Sequence, residues 1–156
     1  MLRLTTKGEY GVRAMLEIAK NYDSVGPLTI KEISERQDVS VAYLEQILNK
    51  LRRAGIIYSL KGPGGGYVLA EKPKEISIGK ILKTLEGPFA VTACLVPDTK
   101  ECGRMESCVS RLMWKALSEK IENFLDAITL QDLILKEKQL TCLSSDKTNG
   151  HNPVFT

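Results

Sequence analysis

The chain has 156 residues and only one histidine, His151, which lies near its end in a stretch rich in Ser, Asp, Thr, Asn and Gly. Histidine-dependent acid–base or nucleophilic chemistry therefore has no evident centre, and an enzyme is not expected. No apolar run approaches the roughly 20 residues that a membrane-spanning helix needs. The opening Met1 to Lys7 is not followed by a signal-like apolar core. A cytoplasmic protein with no membrane partner is the expectation. Internal repeats are absent. Neither sign of charge dominates, with a net charge of +3. Charged residues make up 26% and hydrophobic ones 43%, which is the composition of a globular chain. At this length there is room for one compact domain plus an arm.

The small positive charge is unevenly placed. Residues 1–80 hold 13 Lys and Arg against 9 Asp and Glu, whereas residues 81–156 hold 9 against 10. The basic half also contains the most informative stretch, Ser40 to Tyr67. Leu44, Ile47, Leu48 and Leu51 recur at helical spacing and fall on one face. Ala42, Gln46, Asn49, Lys50 and Arg53 fall on or near the other. Amides can bond adenine edges and cations can neutralise phosphates, so this face suits a major groove. An ordinary surface helix has the same pattern, and the helix alone does not decide. Its context does more. A short helix is predicted over Ile30 to Gln37, a tight turn at Asp38 and Val39, and Ser40 as the next N-cap. That is helix-turn-helix grammar, in which the second helix enters the groove.

Gly55 ends the second helix, and Ile56 to Leu60 and Tyr67 to Leu69 read as strands. Between them, Lys61 to Gly66 carries four glycines and a proline. No lysine followed by serine or threonine comes after these glycines, and the turn leads to a strand, so a phosphate loop of the nucleotide-binding kind is excluded. A wing is the better reading, with Lys61, Gly62 and Gly64 able to approach a nucleic-acid backbone closely.

The remaining elements follow in order. Thr5 or Thr6 caps a first helix to about Asn21, with Val12, Met15, Leu16, Ala19 and Tyr22 as its buried stripe. A helix from Ile76 to Leu85 is ended by Gly87 and Pro88. Phe89 to Ser107 has no clear period and contains Cys94, Cys102 and, just beyond, Cys108. So long a structureless segment is usually functional or disordered. From Cys108 to Ile128, the residues Trp114, Leu117, Ile121, Phe124 and Ile128 form a coiled-coil-like seam, widened by Leu112, Ala116 and Leu125. This reads as a dimerisation arm, although packing on its own domain is the competing possibility. A short helix capped at Thr129 is expected to end near Glu137, with a disordered tail from Gln139 that includes Cys142. The units are 1–87, the reading head; 88–108, the cysteine loop; 109–138, the arm; and 139–156, the tail. The fold class is mainly α with a small β-wing.

Three thiols within 15 residues can close a loop around a soft metal or an iron–sulfur cluster. Bound metal would then supply the order the loop lacks. The gaps of seven and five residues are too wide for the habit of structural zinc sites. Three unrelated thiols in a reducing compartment remain the alternative.

Taken together, these stretches resemble the IscR-type iron–sulfur cluster regulators and their NsrR-like nitric-oxide-sensing relatives. The resemblance covers nearly all of residues 1–137. It rests on Arg3 to Gly8, Ile33 to Gln37, Tyr43 to Gln46, the wing from Lys61 to Tyr67, the three-cysteine loop, Trp114, and Phe124 to Leu130. It implies a winged-helix homodimer with crossed long helices, one cluster per subunit and a near-palindromic DNA operator. It implies that Glu45 and Gln46 touch base edges, with Ser40 and Tyr43 at the backbone. The cluster ligands would be Cys94, Cys102 and Cys108. Where IscR-type members place a histidine ligand this chain has Arg111, which cannot ligate, and the first cysteine gap is longer than the family's usual five. NsrR-like members use an early carboxylate donated by the partner subunit, and Glu9 matches that position. The cluster is 2Fe–2S by the first likeness, which is preferred, and 4Fe–4S by the second. Some relatives lack the cysteines and answer to a partner enzyme, so a cluster-free regulator, or one governed by direct thiol oxidation, is the alternative.

Overall fold

The computed structural model describes residues 4–24, 26–98 and 102–145. Among these, six α-helices surround a small antiparallel ribbon. They are α1 (Thr6–Lys20), α2 (Ile30–Gln37), α3 (Val41–Arg53), α4 (Ile78–Glu86), α5 (Val109–Ala127) and α6 (Leu130–Ser145). Strands β1 (Ile57–Leu60) and β2 (Gly66–Leu69) follow α3. Single 3₁₀ turns occur at Pro73–Glu75 and Ala93–Leu95. This is a winged helix with a helical arm, and the expected fold class holds.

Local chemistry sets most of the boundaries. Thr29 and Glu32 form a reciprocal capping box at the start of α2: the Glu32 N–H donates to the Thr29 hydroxyl at 3.2 Å and the Thr29 N–H to the Glu32 carboxylate at 2.8 Å. Ser77 caps α4 through the Lys80 N–H at 3.1 Å. Helix α3 ends in a Schellman arrangement. Gly55 sits at φ 74° and donates to the Arg52 carbonyl at 3.0 Å, while Ile56 donates to the Leu51 carbonyl, also at 3.0 Å. That closure turns the chain from α3 directly into the wing.

The core lies between α1, α3 and α4. Met15, Ile33, Leu44, Ile47, Leu48 and Leu51 are completely buried, as are Ile57, Ile76 and Ile81. The stripe of α1 differs from the expected one. Ala14, Met15, Ile18 and Ala19 are buried, Val12 and Leu16 are half-buried, and Tyr22 is exposed. The cause is that α1 is covered from several sides by α2, α3, α4 and α6, so more than one face is buried. Close packing by α4 also needs Gly11, because a Cβ there would run into the Leu85 side chain.

The arm is tied to the head by backbone. Ile78 donates to the Ile128 carbonyl at 2.8 Å and Leu130 to the Ile76 carbonyl at 3.0 Å, joining the α5–α6 corner to the start of α4. Thr129 and Asp132 exchange hydrogen bonds at the head of α6, as the expected cap requires. Helix α6 does not stop near Glu137, however, but runs to Ser145. Gln139 to Ser145 are therefore helical, Cys142 among them. Packing of Leu130 and Ile134 into the core anchors the helix, and its remaining turns propagate from that anchor. His151 and the end of the expected tail lie outside the described residues.

One buried carboxylate links α1, α2 and α6. Glu17 is only 6% exposed. It pairs with Lys20 at 2.6 Å and Arg36 at 3.2 Å, and accepts from Gln37 at 3.0 Å. Lys20 also pairs with Glu137 of α6 at 3.1 Å. Burial pushes the Glu17 carboxyl upward, but its bonds to Lys20 and Arg36 outweigh that and hold it below the usual carboxylate range. A depressed folded pKa stabilises the fold above the ordinary carboxylate value, and that contribution is lost as pH falls through the folded value. Glu17→Ala is expected to cost about 1–3 kcal/mol at neutral pH, less than a fully buried pair because Arg36 and Lys20 reach solvent. Urea denaturation at neutral and acidic pH tests this. The difference between wild type and variant should shrink in acid, and a difference independent of pH would contradict the assignment.

Candidate nucleic-acid interface and cysteine loop

Helices α2 and α3 are joined by Asp38, which takes the left-handed conformation at φ 51°, and by Val39. The Ser34 hydroxyl donates to the Val39 carbonyl at 2.6 Å, bracing this turn. Ser40 then caps α3 by accepting the Tyr43 N–H at 3.3 Å. With Leu44, Ile47, Leu48 and Leu51 fully inside, the opposite face of α3 is turned to solvent. Ala42, Glu45, Gln46, Asn49, Lys50 and Arg53 are all exposed. Asn49 is held by Arg52, whose guanidinium donates to its amide oxygen at 3.3 Å.

Tyr43 is half-buried rather than outward. Its ring meets Tyr10 of α1 edge to face at 6.2 Å, and Arg13 lies 5.0 Å from the Tyr10 ring. Arg13 also donates to the Gln37 side chain at 2.7 Å. Tyr10 and Arg13 thus brace α3 from α1, and neither is visible in the spacing of α3, because only the meeting of α1 with α3 brings them to Tyr43.

The wing adjoins α3. Burial raises the Tyr67 phenol, and the Glu45 carboxylate raises it further. Leu28 and Tyr67 exchange backbone hydrogen bonds at 3.1 and 2.8 Å, adding a third short line to the ribbon. Glycine is required at the wing's base, where a Cβ on Gly66 would strike the Leu28 carbonyl. At its tip Lys61, Gly62 and Gly64 are exposed, and Gly62 and Gly64 adopt φ 103° and 77°.

The cysteines lie between head and arm. Cys94 is half-buried in a 3₁₀ turn, 3.3 Å from the Thr92 hydroxyl. Cys102 is exposed. Cys108 stands at the N-cap position of α5, 3.2 Å from the Ser110 hydroxyl. Hydrogen bonds from the Ser110 hydroxyl and the Arg111 N–H lower its thiol pKa, with a smaller contribution from the Arg104 charge. Three soft sulfurs, one with a lowered thiol pKa, suit an iron–sulfur cluster as donors. The arrangement is looser than the chemistry. Among the described residues no three His, Cys, Asp or Glu side chains gather at metal-binding distance, so Cys94, Cys102, Cys108 and Glu9 form no such group within one chain. Glu9 lies exposed in the first turn of α1, 3.9 Å from Arg13. Arg111, in the place of the expected histidine, has a buried Nε with no hydrogen-bond partner among the described residues.

The model of the Rrf2 family, described as iron-dependent transcriptional regulators, matches residues 4–136. The chain belongs to the Rrf2 family. It is 36% identical over 152 residues to the HTH-type transcriptional regulator IscR of Cronobacter sakazakii, covering 97% of this chain and 92% of that protein. It is 40% identical over 134 residues to IscR of Aliivibrio salmonicida, covering 86% and 78%. Among solved structures, T. potens IscR aligns with a TM-score of 0.71 at 36% identity over 96% of this chain and 94% of that one. CymR, the global cysteine regulator of B. subtilis, aligns at 0.70 and 36% identity over 85% and 96%. These Rrf2 relatives are transcriptional regulators, and this chain is one by family. No helix among the described residues is long and apolar enough to cross a membrane.

Proposed function

We propose that this Rrf2 regulator binds a near-palindromic DNA site as a homodimer, under the control of an iron–sulfur cluster held by Cys94, Cys102 and Cys108. The observation that carries the DNA reading is the wholly exposed outer face of α3 beside an exposed glycine wing. Glu45 and Gln46 read base edges, Glu45 accepting from cytosine and Gln46 pairing with adenine. Ala42 and Asn49 border them in the groove. Ser40, Tyr43, Lys50 and Arg53 hold the backbone, while Lys61, Gly62 and Gly64 follow it from the wing. Two-fold symmetry places the half-sites about one helical turn apart.

The dimer reading rests on α5. Val109, Leu112, Met113, Leu117 and Phe124 are between 40% and 79% exposed, a row of large apolar groups that a lone chain leaves in water. A second copy of α5 is the fitting occupant. The cluster reading rests on the thiol chemistry and on the likeness to IscR, with Glu9 of the partner subunit as the fourth ligand. When bound, a cluster supplies a cross-link that redox change or nitric oxide can break. Residues 88–108 connect the head to the arm, so their order can shift the relative population of two dimer poses.

Fluorescence anisotropy with operator and unrelated DNA tests the groove assignment. Gln46→Ala is expected to lose about 1–3 kcal/mol of discrimination at one base position. Lys50→Ala should weaken binding to all sequences alike and reduce the salt slope by about 1. Wild-type affinities and footprints in both variants would remove α3 from the groove.

A second reading has the same DNA contacts without a cluster. The likeness to CymR favours it. Signal would then enter through a partner enzyme or thiol oxidation. Metal-free protein with full, unregulated operator affinity after attempted reconstitution would select it.

A further inference from the structure

A groove of about 550 Å³ runs between the end of α4, the cysteine loop and α5. Phe89, Leu95 and Pro97 give it an apolar wall, and Arg111, Lys115 and Lys83 bring cations to it. We propose that this groove binds a small organic carboxylate with an apolar body, anchored by Arg111.

The charges in the groove decide the sign of the ligand. Two carboxylates, Glu119 and Glu122, also line it. Glu122 is neutralised by Lys83 at 2.6 Å, and Lys83 is further engaged by Asp126 at 2.8 Å. Glu119 meets Lys115 only at 3.9 Å, a long exposed pair along one helix face. Arg111 is left over. Its Nε is buried and lacks an acceptor among the described residues. A guanidinium is always charged, and a buried donor without a partner is costly, so an incoming acceptor is favoured there. The planar fork of Arg matches the two oxygens of a carboxylate, and Lys115 can add a third donor. Because Nε is covered, the guanidinium must turn or the loop wall must shift for both oxygens to bind. Ligand entry is therefore coupled to the position of Leu95 and Pro97, next to Cys94. The apolar wall accounts for the rest of the ligand: Phe89 is buried at one end, and the two loop residues present aliphatic surface. Neither the DNA-reading face nor cluster binding enters this argument, so the groove can fail or stand independently of them.

The test is calorimetric titration of the full chain, free of DNA and metal, with 3-phenylpropanoate, 4-methylpentanoate and the uncharged 3-phenylpropanamide. The acids are expected to bind and to raise the melting temperature, and the amide to bind about tenfold or more weakly because it lacks the charge-assisted pair. Arg111→Gln should remove the preference for acid over amide, while Lys115→Gln should reduce acid affinity by a smaller factor. Absence of binding by both acids at millimolar concentration overturns the proposal. So does equal binding of acid and amide to wild type, or an undiminished preference in Arg111→Gln. Should Arg111→Gln fail to fold, the acid–amide contrast on wild type and the Lys115→Gln series still decide.

Discussion

Leu117→Asp combined with Phe124→Asp is expected to convert the dimer to monomer and to weaken operator binding by about 10²–10⁴-fold. The magnitude is that of losing the second half-site, because linking two binding modules makes the second contact intramolecular. Phe124 is 54% exposed and Leu117 40% in the single chain, so each presents apolar surface on the outer side of α5. Burying a side chain of this size contributes roughly 1.5–3 kcal/mol, and a dimer buries each of them twice. Aspartates in their place put four like charges at the centre of the α5 contact, which Lys120, exposed on the same face between the two positions, offsets only in part. The inner side of α5 is unaffected. There Ser118 is buried, donating to the Trp114 carbonyl at 3.0 Å and accepting the Val91 N–H at 3.2 Å. The variant should therefore keep its melting transition in the limit of low protein concentration. Sedimentation velocity and anisotropy on full and half operators check the two halves of the expectation. A variant that stays dimeric with wild-type operator affinity would show that α5 is not the interface.

Replacing Cys108 by alanine is expected to bring iron and sulfide to background in anaerobically purified protein and to abolish visible charge-transfer absorption. Cys94→Ala and Cys102→Ala should do the same, and Cys142→Ala should not. Three thiolates from one loop hold a cluster as a unit, and loss of one leaves iron with an open position and a loop that no longer closes. Cys108 is the sharpest choice because its thiol pKa is lowered at the head of α5, by the Ser110 hydroxyl first and the Arg111 N–H second. Glu9→Gln should retain iron and sulfide but shift the spectrum or speed cluster loss if the partner's carboxylate is the fourth ligand. Iron-free wild type after reconstitution, still binding its operator, would overturn the cluster reading and leave the thiol- or partner-controlled one. The DNA expectations for Gln46 and Lys50 are unaffected by either outcome.

Elements defined by neighbours in sequence were legible before any coordinates. The Ser40 cap, the Gly55 stop, the Gly87 and Pro88 stop and the glycine-rich turn each act over three to six residues. Their physics is complete within the segment, so spacing suffices to place α2, α3, α4 and the wing. The exposed face of α3 follows from the same logic, because Leu44, Ile47, Leu48 and Leu51 leave only one side for the rest.

Other features depend on what a helix meets. The buried side of α1 differs from its expected stripe because five elements, α2, α3, α4, α6 and β2, contact it, and spacing along one helix cannot count its neighbours. The end of α6 was placed too early. Polar composition argued for a tail, but Leu130 and Ile134, packed in the core, pay the nucleation cost for the whole helix. The α5 seam divides in space. Ile121, Leu125 and Ile128 are half-buried on the chain's own side, while Leu117 and Phe124 face out with Leu112 and Met113. Arg111 was read from sequence only as a lost ligand; the groove around it arises where three segments meet. Local hydrogen bonds and spacing therefore determined which elements form, and long-range packing decided which of their faces are buried and which remain exposed.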